Sequence, residues 1–377
     1  MVISPHFQGY LEAVKDGCVS GWTSDVAGQP APVTIHVNGT VAATLAANQS
    51  RPWTCRQSGE IRHRFQAQLR LVLGDRVEVF HGITGHPLRG GVRRVVDPGW
   101  RPRICLVSPV KQEAPYLLEW IAYHRALGVE LFLLGDNGGT DQTSELLHAL
   151  DAAGLVHRLD WLGEENFQVR FNLDAVSRMC GVADVCSITD VDEFLRPLGG
   201  RPDIPAAVAE IFARPEVSAA GLSYALYGSS GRVEPGTGLV IERFSRRAPD
   251  DSAWHKGVKS MVRPEQLVGM KNPHVVLIAE GQYVDDRGDL ICWGPRPAMT
   301  QSISWNSLRV DHFVIKSRQE FEIKRRRGRA DQPRGVMDRD EEFFPDRDSN
   351  EILDPVPEAL VSRTKAELRQ LQDHIKI

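Results

Sequence analysis

The stretch Ser187-Ile188-Thr189-Asp190-Val191-Asp192-Glu193-Phe194 places three carboxylates within four positions, directly after an apolar run. Such a run predicts a buried strand whose carboxyl end opens onto a site. Residues two apart on a strand point the same way, about 7 Å from each other, so Asp190 and Asp192 are expected to face one ligand. Two like charges there favour Mg²⁺ or Mn²⁺ shared with a diphosphate. An isolated Asp-x-Asp is more often a solvated acidic loop, so the rest of the chain must support a site.

Strand and helix signals alternate on the amino-terminal side of this stretch, which predicts a parallel α/β sheet. In order, they are strand 104–108, helix 112–127, strand 131–134, helix 144–152, strand 156–159 and helix 167–180. Ligands lie outside the carboxyl ends of such strands, where a carboxylate such as Asp136 is expected to accept a hydrogen bond from a base or ribose. The glycine patterns of dinucleotide-binding and phosphate-loop proteins are absent from the sequence.

The composition is that of an ordinary soluble protein, and it narrows the possible partners. The 377 residues are enough for two domains, and a net charge of −4 argues against general nucleic-acid binding. The amino terminus has no signal-peptide pattern. The sequence also has no run of 18 apolar residues, the length that a membrane span would need. The six cysteines have no metal-finger spacing. We therefore expect a cytoplasmic protein with reduced thiols.

Residues 1–98 have the pattern of a small β-sandwich. Short strand-like runs recur, and the turn Asn38-Gly39 is a strong hairpin signal. Trp22 and Trp53 are expected either to stack on sugar rings or, as is more common, to lie in a core. This region loosely resembles the β-sandwich modules attached to bacterial glycan enzymes. A linker at 98–102 separates it from the α/β region.

Five ordered motifs within about 103–350 resemble glycosyltransferase family 92 and its bacterial relatives among the family-2-like GT-A transferases. They are 113–124, 136–141, 190–195, 227–231 with 259–262, and 312–317 with 321–328. The resemblance implies a GT-A fold, a nucleoside-diphosphate sugar donor, a divalent metal and inversion at the anomeric carbon. The first loop departs from the family pattern, since it reads Ser-Pro-Val-Lys-Gln-Glu where Lys-Asn-Glu is expected.

The acids are expected to hold the metal and the donor. Asp192, with or without Asp190 as a bridge, would bind a metal that neutralises the leaving diphosphate. Glu193 is expected either to orient a metal ligand or the sugar, or to cap a helix. His312 is the first candidate for a third metal ligand and His274 its rival, although a lone His is usually a core or surface residue. Glu113 is expected to contribute to donor binding.

Basic residues near the carboxyl end are candidates for diphosphate contact. The first candidate is Lys316, and the second is the basic stretch 324–329. The stretch could instead form a solvated face or contact an anionic lipid surface. An inverting enzyme also needs a general base. Glu242, expected on a strand beside Arg243, and Asp251, expected in a loop with Asp250, are the candidates. The turn 228–231 suits either a sugar contact or a plain hairpin.

The sequence thus predicts a β-sandwich at 1–98, a GT-A domain at 103–350 and an amphipathic helix at 351–377. The expected function is metal-dependent transfer of a sugar from a nucleoside diphosphate, most simply uridine diphosphate, to a glycan or lipid-linked acceptor. Two rivals remain open: a non-catalytic glycan-binding protein on the same fold, and a metal-dependent phosphohydrolase or nucleotidyltransferase.

Overall fold

The computed structural model describes residues 8–15, 17–24, 30–50, 63–71, 75–94, 101–214, 216–327 and 340–375. Two compact units divide the chain, one of Met1–Trp100 with Ser177–Asp184 and one of Arg101–Val176 with Val185–Ile377. Trp53, the linker positions 98–100 and positions 328–329 of the basic stretch lie outside the described residues. The domain limits at 98, 103 and 350 remain predictions.

The first unit carries eight described β-strands joined in one sheet, in the order β4-β3-β7-β8-β1-β2-β6-β5. The strands are β1 (Gln8–Lys15), β2 (Cys18–Ser24), β3 (Pro32–Val37), β4 (Thr40–Ala46), β5 (Gln49–Ser50), β6 (His63–Gln68), β7 (Arg76–His81) and β8 (Pro87–Arg94). Asn38 and Gly39 join β3 to β4 with φ of 51° and 82°, as a tight hairpin turn requires. Trp22 is 1 % exposed, so it is a core residue rather than a platform for sugar stacking.

The second unit begins with an alternation of strands and helices and ends in a long helix. Its elements are β9 (Ile104–Val110), α1 (Ala114–Ala126), β10 (Leu131–Asp136), α2 (Thr143–Ala152), β11 (His157–Asp160), α3 (Gln168–Arg178), β12 (Val185–Ile188), β13 (Glu193–Pro197), α4 (Ile204–Ile211), β14 (Val217–Leu226), α5 (Val240–Arg243), β15 (Arg246–Arg247), β16 (Val258–Val262), β17 (Leu267–Asn272), β18 (Val275–Ile278), β19 (Gln282–Val284), β20 (Leu308–His312), α6 (Arg318–Arg327), α7 (Phe343–Arg347), β21 (Ile352–Leu353) and α8 (Glu358–Ile375).

The central sheet of this unit is mixed. Strands β11, β10, β9 and β12 are parallel neighbours, and β16, β14, β20 and β13 extend the sheet beyond β12. Strand β16 runs antiparallel to β12 and to β14. Strands β10 and β12 are buried along their whole length, because a parallel sheet is covered on both faces and its strands are therefore continuous apolar runs. The predicted α/β fold class is confirmed.

Helices begin and end where the local chemistry favours it. Pro115 lies in the first turn of α1, where a missing N–H costs no hydrogen bond, and Gly128 follows the helix with φ of 86°. Helix α8 packs against α1, and its Leu360 and Leu371 are buried. Arg125 and Glu367 pair across these two helices at 3.2 Å. Within the described ranges, none of the helices combines the length and apolarity that a bilayer crossing needs.

Candidate active site

A cavity of about 470 Å³ lies at the carboxyl ends of β9 and β12, a size typical of small-molecule sites. Its wall includes the turn after each of these strands, the β17–β18 turn, and residues of β14, β20, α6 and α7. The lining side chains with polar or aromatic groups are Lys111, Glu113, Phe167, Gln168, Asp190, Asp192, Glu193, Tyr224, Trp254, Asn272, His274, His312, Lys324, Arg327, Phe343 and Arg347.

The acidic stretch forms a turn between two strands, which corrects the prediction that Asp190 and Asp192 share one strand. Strand β12 ends at Ile188, and Glu193 is the first residue of β13, so Glu193 does not cap a helix. The backbone N–H of Asp190 donates to Glu193 Oε2 at 2.8 Å, which closes the turn. Asp190 keeps a third of its side chain exposed, whereas Asp192 and Glu193 are buried. The three acids therefore differ in environment.

Among the described residues, Asp192, Glu193 and His312 form a group whose ligand atoms lie within 4.8 Å of one another. The antiparallel pairing of β13 with β20 sets Glu193 opposite His312 and brings the group together. Burial lowers the pKa of His312 to about 3, so the ring is neutral, the form that binds metals. Two carboxylates and one imidazole are a donor set that fits a divalent ion such as Mn²⁺.

Lysines from two other elements reach the same acids. Lys259 is buried on β16, and its ammonium lies 2.9 Å from Asp190 and 3.4 Å from Glu193. Lys324 on α6 donates to Asp192 and, at 2.8 Å, to the carbonyl of Val314. Burial alone would raise the pKa of Asp192, but Lys324 outweighs it and holds that pKa well below its ordinary value. Burial raises the pKa of Glu193 to about 8 in spite of Lys259.

His274 lies outside the group of possible metal ligands, contrary to its prediction as a rival ligand. Its Nδ1 is 3.0 Å from the Tyr224 hydroxyl, which in turn donates to Glu193 Oε1 at 2.8 Å. The Tyr224 ring also packs against that of His312, with centroids 4.5 Å apart. A hydrogen-bonded chain thus connects His274, in the cavity wall, to the buried Glu193.

The residues predicted to bind the donor are only partly brought together. Glu113 lines the cavity and pairs with Arg327 at 2.5 Å. Asp136 is fully buried, and its carboxylate accepts from Gly138 N–H, Ser144 Oγ and Arg158. Its predicted contact with a base or ribose is not supported by these internal contacts. Lys316 is also buried, with its ammonium 4.2 Å from the centre of the Tyr116 ring, and does not line the cavity.

The two predicted general bases are not in the cavity wall. Glu242 lies on α5, not on a strand as expected, and binds Leu239 N–H and Lys365. The helix forms there because the Glu119 carboxylate of α1 accepts from its first two N–H groups at 2.7 and 3.1 Å. Asp251 is exposed. These placements correct the strand expected at Glu242 and give no support to either residue as the general base.

Two further predicted features are the turn 228–231 and the basic stretch, and only the second reaches the cavity. In the turn 228–231, the N–H groups of Ser229 and Ser230 donate to Asp348 and Asn350, so this turn anchors a later segment and does not line the cavity. In the basic stretch, Lys324 and Arg327 line the cavity. These contacts do not test the expected membrane contact through 324–329, which stays a prediction.

Sequence reasoning missed two residues of the site. Lys259 is part of the motif 259–262, and a lone charge within the apolar run 258–262 is a signal of a paired, buried lysine. Tyr224 lies in a strand whose ten residues are all buried, and nothing local distinguishes it. Its role becomes visible only from its contacts.

Comparison with known proteins assigns the region that carries most of this site. The family model described as glycosyltransferase family 92 matches residues 104–288. Family 92 proteins of Oryza sativa subsp. japonica and Ricinus communis are each 26 % identical, over 182 and 187 residues. These matches cover 47 and 48 % of this chain but only 29 and 33 % of the relatives. The chain thus matches about a third of the length of these curated relatives.

Solved structures show a weaker likeness. S. aureus TarS 1-349 in complex with UDP is 12 % identical with a TM-score of 0.31, covering 44 % of this chain and 47 % of that one. Glucosyl-3-phosphoglycerate synthase from Mycobacterium tuberculosis, in complex with phosphoglyceric acid, is 14 % identical with a TM-score of 0.24, covering 46 and 65 %. The sequence comparisons therefore carry the assignment: residues 104–288 of this chain match the model of glycosyltransferase family 92.

Proposed function

We propose that this chain transfers a sugar from a nucleoside-diphosphate sugar, with uridine as the nucleoside, to a hydroxyl of a glycan or lipid-linked acceptor. The observation that carries the proposal is the convergence of Asp192, Glu193 and His312 with Lys324 in one cavity at the carboxyl ends of two central strands. This is the edge of an α/β sheet at which ligands bind. The match to the glycosyltransferase family 92 model supports the reaction class.

Asp192, Glu193 and His312 would hold the divalent metal. The imidazole favours Mn²⁺ over Mg²⁺, because Mg²⁺ prefers an all-oxygen shell. When bound, such an ion supplies Lewis-acid stabilisation of the charge that develops on the leaving diphosphate.

Cationic side chains of this chain would contact the phosphates and hold the acids in position. Lys324 and Arg327 lie one helical turn apart on α6, both in the cavity wall, and we expect both to contact phosphate oxygens. The fully buried Lys259 holds Asp190 and Glu193 in place from behind. An inverted product is expected from a single displacement, in which the acceptor oxygen attacks the face opposite the diphosphate.

Isothermal calorimetry of the Asp192→Asn variant tests the site. We expect UDP with Mn²⁺ to bind the wild-type chain and not the variant, because the variant loses a carboxylate ligand. The control is Asp373→Asn, which changes an exposed acid on α8. Equal binding of UDP and Mn²⁺ by the wild type and Asp192→Asn would reject the site.

A donor panel with Mn²⁺ tests the reaction. Release of UDP that increases with added p-nitrophenyl glycosides supports transfer. Release of sugar phosphate would instead indicate a phosphohydrolase, and nucleotide binding without turnover would indicate a non-catalytic binding protein.

A further inference from the structure

We propose that one part of the cavity wall binds the acceptor sugar and selects a sugar with a substituent oxygen that only accepts hydrogen bonds. Such an oxygen is the carbonyl of an N-acetyl group or the carboxylate of a uronic acid. We call this part the acceptor wall; it consists of Trp254, Gly257, the turn 272–274 and the segment 297–299. This inference rests on the proposed transfer reaction and names the class of acceptor for the same cavity.

The segments of the acceptor wall lie beside one another. The N–H of Val258 donates to the carbonyl of Ala298 at 3.1 Å, and the carbonyl of Val258 lies 3.3 Å from Nδ1 of His274. The carbonyl of Trp254 accepts from the N–H of Gly257 at 3.3 Å, which ties Trp254 to the start of the same strand. The three segments therefore adjoin in the cavity wall.

The rest of the cavity wall accounts for the donor. The candidate metal ligands and the cations of α6 lie with the carboxyl ends of β9 and β12, the edge at which a nucleotide binds to parallel strands. The acceptor wall comes from elsewhere, since β16 is antiparallel to β12 and β17 pairs with β18 in a separate sheet. The Tyr224 hydroxyl joins the two parts, because it donates to Glu193 and lies 3.0 Å from His274 Nδ1. A sugar on the acceptor wall would thus lie next to the metal ligands.

Trp254 supplies the first hydrogen-bond donor of the acceptor wall. Its indole nitrogen makes no hydrogen bond within the part of the chain that the structure describes, and it is not a buried atom. The guanidinium of Arg347 lies 4.1 Å from the centre of the indole, which holds the ring in place. An indole N–H can only donate, so the ligand atom that meets it must accept.

Asn272 supplies the second donor group. Its Oδ1 accepts from the N–H groups of His274 at 2.9 Å and of Val275 at 3.1 Å, so both lone pairs of the oxygen are used. The same two contacts fix the orientation of the amide, because only the oxygen can accept. Across the described ranges, Asn272 Nδ2 has no hydrogen-bond partner and is not buried. The amide therefore offers two N–H donors and no acceptor.

The remaining groups of the acceptor wall add no acceptor for a hydroxyl proton. Pro273 and Ala298 have apolar side chains, and the His274 ring is engaged by Tyr224 and by the carbonyl of Val258. The acids among the described lining residues are engaged by cations. A sugar hydroxyl would find no acceptor for its own proton on Trp254 and Asn272, whereas a carbonyl or carboxylate oxygen matches both. The engaged pairs are Glu113 with Arg327, Asp190 and Glu193 with Lys259, and Asp192 with Lys324.

A matched panel of acceptors tests the selectivity. The p-nitrophenyl β-glucoside, N-acetyl-β-glucosaminide and β-glucuronide share one ring, and the last two each replace one substituent of the glucoside. With UDP-sugar and Mn²⁺, we expect kcat/KM for the N-acetylglucosaminide or the glucuronide to exceed that for the glucoside by about tenfold or more. The preferred one of the two identifies the source of the accepting oxygen. A glucoside that is used as well as both others would overturn the assignment.

Two conservative variants test the residues. Trp254→Phe keeps an aromatic ring and removes only the N–H, so KM for the preferred acceptor should rise by about 3- to 10-fold, with kcat within about twofold. Asn272→Asp keeps an oxygen for the two backbone N–H groups but replaces the amide donor by an accepting oxygen. The preference over the glucoside should therefore fall by about tenfold. The control is Trp161→Phe, which changes another partly buried indole with an arginine over its ring, outside the cavity wall.

Three results with these variants would count against the acceptor wall. They are wild-type KM in Trp254→Phe, wild-type preference in Asn272→Asp, and loss of calorimetric UDP and Mn²⁺ binding in either variant. Saturation-transfer NMR of the three glycosides with UDP and Mn²⁺ separates this inference from the reaction, because it needs no turnover. A wild-type chain that turns over no UDP-sugar refutes the proposed function. The acceptor wall then stands if the N-acetylglucosaminide or glucuronide binds more strongly than the glucoside, and falls if neither does.

Discussion

Replacement of Lys324 by methionine should have opposite effects on metal and nucleotide binding. The Lys324 ammonium donates to Asp192, one of the three candidate metal ligands, so a divalent ion must displace it from that carboxylate. The same ammonium lies in the cavity wall, where a diphosphate would give it a new partner. We therefore expect Lys324→Met to bind Mn²⁺ more tightly without nucleotide, and UDP more weakly.

The size of the effect follows from the contact that the metal must break. Lys324 and Asp192 are 11 % and 7 % exposed, so their hydrogen bond is shielded from water. A hydrogen bond to a charged group contributes about 1.5–3 kcal/mol, and each 1.4 kcal/mol corresponds to tenfold in affinity. The Kd for Mn²⁺ alone should therefore fall by about 10- to 100-fold in the variant.

Electron paramagnetic resonance of free Mn²⁺ measures this affinity directly, and calorimetry measures that for UDP. The matched control is Lys271→Met, which removes an exposed lysine of β17. An Mn²⁺ affinity that is unchanged or weaker in Lys324→Met would refute the reasoning, because it would mean that Lys324 does not compete for the metal-binding carboxylate.

Two further predictions concern stability. Burial raises the pKa of Glu119 to about 7 from 4.5. Between these two pH values the folded state keeps a proton that the unfolded state loses. This group therefore destabilises the fold as the pH rises. Between pH 5 and 8, the free energy of unfolding should therefore fall by about 2.5 kcal/mol less in Glu119→Gln than in the wild type, as measured by denaturant titration. An equal fall in the two proteins would contradict this reasoning. Asp354 contacts three arginines at 2.7–3.1 Å. Asp354→Ala should therefore lower the free energy of unfolding by about 3 kcal/mol and the Tm by about 6 °C. Scanning fluorimetry measures the change in Tm, with the exposed Asp346→Ala as the control. An equal Tm in these two variants would rule out a stabilising role for Asp354.

Local pattern was enough to predict the central part of the α/β sheet. Strands β9, β10 and β12 are apolar runs bounded by polar turns, and α1 lies between a proline and a glycine, so each is defined by its own residues. The position of the cavity followed, because ligands meet α/β sheets at the carboxyl ends of parallel strands. The short run 239–244 was misassigned as a strand, because its helix depends on Glu119 from a distant part of the chain.

Residue pattern alone was enough to predict the class of fold, the acidic residues at the edge of the sheet and the family motifs around them. Which side chains share the site depends on the three-dimensional fold. His312 joins Asp192 and Glu193 through the pairing of β20 with β13, and Lys324 arrives from α6. Asp136, equally acidic in the sequence, is instead turned inward by Arg158. Charge and type are local properties of a residue, whereas its partners depend on strand register and helix packing between segments that are far apart in the chain.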